Sequence, residues 1–168
     1  MYEYINDKEL LKALNYQTII RNVELRKILK TIDPETIYKL LEEEGNIICY
    51  LDESLRDDKK IALESVTYRS FFFRSCVDID DMYYEGNSDT NMLYEVENAY
   101  DSLSERLKKD IDIVEQVCNS YKNILNFLNN KENLYFDAYV KLNKRYMIEK
   151  VEDFLARFEE ITFQIKEC

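Results

Sequence analysis

Thirty-four Asp and Glu side chains and no histidine bound the chemistry open to this chain. Without histidine there is no Ser-His or Cys-His nucleophile pair, no imidazole general base, and no Glu-x-x-His motif of the kind that holds iron in helical bundles. What remains is paired carboxylates gripping Mg²⁺ for phosphoryl chemistry. The candidates are Glu42-Glu43-Glu44, Asp57-Asp58 and Asp78/Asp80/Asp81, with Asp78/Asp81 and Glu149/Glu152 spaced one helical turn apart. At this density of acids such pairs arise by chance, and a solvated face accounts for them better than a metal site. The two glycines, Gly45 and Gly86, are too few to build a phosphate-cradling loop. Asp78-x-Asp80 opens like a calcium-binding loop, but Tyr83 stands where the obligatory glycine belongs; Asn87-x-Asp89-x-Asn91 fails at Met92. Cys49, Cys76, Cys118 and Cys168 are scattered without a CxxC pair, so they read as free thiols rather than zinc ligands. We expect no catalytic residue, no metal and no cofactor.

The acids are unevenly spread. Up to residue 77 there are 14 acids against 12 bases; beyond it there are 20 against 11, so a net of −9 out of −11 lies in the second part. From Ser75 to Glu105 there is no Lys or Arg. Such asymmetry points to a partner of positive potential rather than to a fold. Asp78, Asp80, Asp81, Glu85 and Asp89, with Tyr83 and Tyr84 among them, are the expected partner-binding residues, because tyrosine supplies rigid interface area and carboxylates steer cations. The competing view is a solvated connector. Nucleic acid would be repelled by the overall charge. Bases gather only locally, at Arg21, Arg26, Lys27 and Lys30, and at Lys59, Lys60, Arg69 and Arg74 beside Tyr68 and Phe71-Phe72-Phe73.

The scarcity of turn residues, two Gly and one Pro in 168 positions, favours long helices with few connections. Short helices are expected over 7–15 and 17–31. Asp33-Pro34-Glu35 combines an N-cap acceptor, proline at the first helical position and an acid at the positive helix end. That helix should bury Ile37, Leu40 and Leu41 and stop at Gly45-Asn46 through a C-terminal glycine. Asn46–Glu53 reads as either a helix start or an extended connector, and helix should resume over 57–76. Leu107, Ile111, Val114, Cys118, Tyr121, Leu125 and Leu128 recur at spacings of four and three. Leu93, Val96, Tyr100 and Leu103 extend the stripe backwards, with a stutter or a break near Ser104. Tyr139, Leu142, Tyr146, Met147, Val151, Phe154, Phe158, Ile161 and Ile165 form the stripe of a second long helix. The expectation is an all-α bundle of about five to seven helices with a long C-terminal antiparallel, coiled-coil-like hairpin over 104–129 and 133–166. A single domain 1–168 would comprise a short-helix part (1–77), an acidic segment (78–103) and the hairpin (104–168).

The N-terminus lacks a basic segment followed by an apolar one, and no apolar run is long enough to cross a membrane, so a cytoplasmic protein is expected. Small acidic helical chains of this type resemble toxin-immunity proteins and phage or viral anti-defence inhibitors. The leading expectation is therefore a non-enzymatic inhibitor of a basic partner, such as a nucleic-acid-handling enzyme or a toxin. A helical adaptor or secretion chaperone holding an amphipathic segment is the alternative, with self-association through the hairpin compatible with either. A viral signalling regulator with a hydrophobic groove and a Mg²⁺-dependent phosphohydrolase are the minor alternatives.

Overall fold

The computed structural model describes residues 27, 29–43, 45–68, 96–129 and 138–168, with the side chains of the last helix from Arg145 onward. The helices expected over 7–15 and most of 17–31 lie outside these residues, although Leu29 is buried. No strand occurs among the described residues, and the chain is an all-α bundle with a C-terminal helix pair.

Helix α1 is Pro34–Glu43. Asp33 caps it as its sequence dictates: the carboxylate accepts from the Thr36 amide at 2.9 Å and from the Thr36 hydroxyl at 2.7 Å. Those two bonds hold the Asp33 carboxyl below the usual aspartate range. Ile37, Leu40 and Leu41 are buried on the inner face. Of the two readings of the ambiguous run after it, the helical one is observed rather than the extended one. It is a 3-10 helix, Gly45–Tyr50, with Ile47 and Ile48 buried.

Gly45 corrects the expected glycine logic. Among the described residues no glycine has positive φ, so the residue does not serve as a left-handed helix cap. A Cβ at this position would lie 2.0 Å from the backbone oxygen of Ser65 and 2.9 Å from its carbonyl carbon. Glycine is required because two backbones touch there.

A short helix α2, Glu53–Arg56, leads to α3, Lys59–Ser65, whose N-cap Asp58 accepts from the Ile61 amide at 3.0 Å. Helix was expected to run on to Cys76. Instead it ends at Ser65, and Thr67 and Tyr68 are non-helical. The cause is local and tertiary together. The Thr67 hydroxyl donates back to the Leu63 carbonyl at 2.7 Å, and the buried Ser120 hydroxyl captures the exiting backbone.

Helix α4 covers 96–101 within the described residues and buries Val96, Ala99 and Tyr100. A turn and a 3-10 helix, Leu107–Lys109, separate it from α5, Ile111–Asn129. The hairpin's first arm therefore begins at Ile111 rather than at 104. Of the two alternatives at Ser104, the break is the one observed. Leu103 and Leu107 nevertheless stay buried, so the apolar stripe survives the interruption of the helix.

Helix α6 is Ala138–Glu167. It packs antiparallel to α5: Glu115 pairs with Lys166, Cys118 with Thr162, and Tyr121 stacks on Phe154 and Phe158. Val114, Cys118, Tyr121 and Leu128 fill the seam opposite Met147, Val151 and Phe158, all buried. Ile113, Val117 and Ile124 are buried too, because α5 contacts α3 on its other side. Tyr146, expected in the seam, is instead 49% exposed. The expected positions Tyr139 and Leu142 have no described side chains, and residues 133–137 lie outside the described set.

Candidate functional site

The sequence-derived partner-binding residues Asp78, Asp80, Asp81, Tyr83, Tyr84, Glu85 and Asp89 all lie outside the described residues, as do Leu93 and Phe71 to Phe73. Both flanks of that stretch are described, and each is fixed to the α5–α6 pair, the first by buried hydrogen bonds and the second by an aromatic contact and an ion pair.

On the N-terminal flank, Ser120 of α5 bridges two backbone groups. Its hydroxyl donates to the Val66 carbonyl at 2.6 Å and accepts from the Tyr68 amide at 2.9 Å. Ser120 has no exposed surface, so its hydroxyl supplies both backbone groups with a partner where water cannot. On the C-terminal flank, α4 docks through Tyr100, whose ring meets Phe158 edge-on at 4.8 Å and whose hydroxyl donates to the Lys108 carbonyl at 2.8 Å. Glu97, with its side chain only 17% exposed, accepts from Arg157 of α6 at 2.5 Å. Arg157 also lies over the Phe158 ring. The Tyr121 hydroxyl is buried under this pair, close to the Glu97 backbone but short of hydrogen-bond geometry. Burial first, and the Glu97 charge second, push the Tyr121 hydroxyl well above the tyrosine range; burial does the same to Tyr100.

The densest polar constellation among the described residues joins the α2–α3 turn to the α4–α5 connection. Lys59 contacts Asp112 at 2.6 Å and Asp110 at 2.9 Å. Arg106 spans the Asp57 carboxylate and its backbone oxygen, at 3.1 and 2.7 Å. The Ser104 hydroxyl donates to Asp57, and Arg56 reaches the Ser102 carbonyl at 3.3 Å. Ser, Lys and Asp side chains in one cluster invite comparison with a nucleophile and its base, but the electrostatics argue otherwise. Bonds to Asp112 and Asp110 raise Lys59, keeping it a cation rather than a proton acceptor. Bonds from Ser104 and Arg106 lower Asp57. Burial would raise Asp110, but the Lys59 bond and the amides of Asp112 and Ile113 outweigh it. Lys59, Asp57 and Asp110 are each held in the charged form that their partners need. The cluster is a fastening between two turns, and Asp110 also serves α5 by accepting from the Asp112 amide at 3.0 Å.

The other candidate carboxylate pairs fare similarly. Asp57 and Asp58 are held by Arg106 and by the α3 N-terminus, and Glu149 pairs with Arg145 at 3.1 Å. Among the described residues, no three His, Cys, Asp or Glu side chains gather in a way that could hold a metal ion. No helix there is long and apolar enough to cross a membrane.

Sequence reasoning did not foresee Ser120, the Lys59 clasp or the Glu97–Arg157 pair. Asp110 carried a usable signal, an N-cap acid immediately before an amphipathic run. Ser120 carried none, since its partners are more than fifty residues away. No protein-family model, no curated protein and no solved structure matches the chain.

Proposed function

We propose that this protein is a non-enzymatic acidic binding protein that neutralises a basic partner, in the manner of an immunity protein or an anti-defence inhibitor. The observation that carries this reading is the stretch from Ser75 to Glu105, which contains no Lys or Arg. Its flanks support the reading: Tyr68 is tied to Ser120, and α4 is tied to Phe158 and Arg157. Of the acids in that stretch, Glu97 and Glu105 have cationic partners in Arg157 and Lys108. Asp78, Asp80, Asp81, Glu85 and Asp89 then supply the steering charge, with Tyr83 and Tyr84 as aromatic anchors. The partner is a protein with a strongly basic site, such as a nucleic-acid-handling enzyme or a toxin.

An adaptor or chaperone would need a broad apolar surface to hold its client. Among the described residues, Tyr146 and Phe163 are the only large hydrophobic side chains that are exposed, so that alternative has less support.

The test is capture of partners from the native cell, followed by stopped-flow association. Replacing Asp78, Asp80 and Asp81 with Asn and Glu85 with Gln should slow association by about an order of magnitude and flatten its salt dependence. Tyr83→Ala and Tyr84→Ala should instead speed dissociation. A quadruple variant that associates as fast as wild type in low salt overturns the assignment of this segment.

A further inference from the structure

We draw no further inference here: the strongest candidate, the buried side-chain cluster beneath α4 in which the Tyr121 hydroxyl lies under the Glu97–Arg157 pair without a hydrogen bond, belongs to the contact between α4 and the α5–α6 pair already described, and among the described residues no second group there points to a ligand.

Discussion

Gly45→Ala separates two accounts of the same glycine by the sign of its effect. If the residue only ended a helix in an ordinary conformation, alanine would restrict the unfolded chain and stabilise the protein by about 0.4–1 kcal/mol. The structure gives the opposite sign. The new methyl would be 2.0 Å from the Ser65 oxygen, 2.9 Å from its carbonyl carbon and 3.3 Å from its Cα, all backbone atoms that no rotamer change can move. Relief requires the 3-10 helix to separate from the end of α3, where Ile47, Ile48, Ala62 and Val66 are buried together. Overpacking a core ordinarily costs about 1–3 kcal/mol, and a contact against fixed backbone belongs at or above the top of that range. At about 3 kcal/mol the melting temperature should fall by about 6–12 °C for a chain of this size, and the urea midpoint should fall with it. Ser65→Ala should not rescue the variant, because the obstructing atoms are main-chain. A Gly45→Ala protein as stable as wild type, or more so, would refute the close-approach argument.

Two further substitutions probe buried polar groups of α5. Ser120→Ala leaves the Val66 carbonyl and the Tyr68 amide buried without their partner; a loss of about 2–4 kcal/mol in urea denaturation is expected, with wild-type stability as the contrary result. Tyr121→Phe removes a buried hydroxyl that makes no hydrogen bond, so stability at neutral pH should change by less than about 1 kcal/mol. The same variant should protect the protein in alkali. Folded Tyr121 and Tyr100 titrate above the ordinary tyrosine value, so above about pH 10 the unfolded chain binds fewer protons and stability falls as pH rises, by up to about 1.4 kcal/mol per pH unit for each group. Lys59, also raised, adds to this loss as pH climbs through its folded value. A Tyr121→Phe alkaline limb as steep as wild type would contradict the burial argument.

The features legible in the sequence were those whose causes are local. Asp33, Pro34 and Thr36 lie within four positions and specify the start of α1 among themselves. The stripes of α5 and α6 were legible because two apolar faces with short-range periodicity must find each other, and Tyr121, Phe154 and Phe158 do. The break near Ser104 stayed ambiguous because hydrophobic spacing continues across it. A 3-10 turn puts Leu107 into the same core that an unbroken helix would have reached. Gly45 was assigned the wrong task because its reason, the Ser65 backbone, is twenty residues away and invisible to a local rule. Tyr146 was misplaced for a related reason: it lies beside the buried Met147 at the edge of the stripe, and periodicity alone does not say on which side of that edge it falls. The acidic stretch was conspicuous in composition, but composition cannot say which of its acids are already answered from elsewhere in the chain. Glu97 and Glu105 are.

That last distinction bears on how a protein with this composition projects charge. Lys59, Arg106, Arg157 and Lys166 each bridge to an acid on a different element, and in doing so fasten the α2–α3 turn, α4 and α5 to one another and to α6. Bases used as internal ties contribute little positive potential to the exterior, since each is offset by a carboxylate within about 3 Å. Exposed ion pairs add only about 0–1 kcal/mol each to stability, so retaining the bases for folding alone is a weak rationale. What the four ties do is fix which elements lie side by side, since each joins residues far apart in sequence.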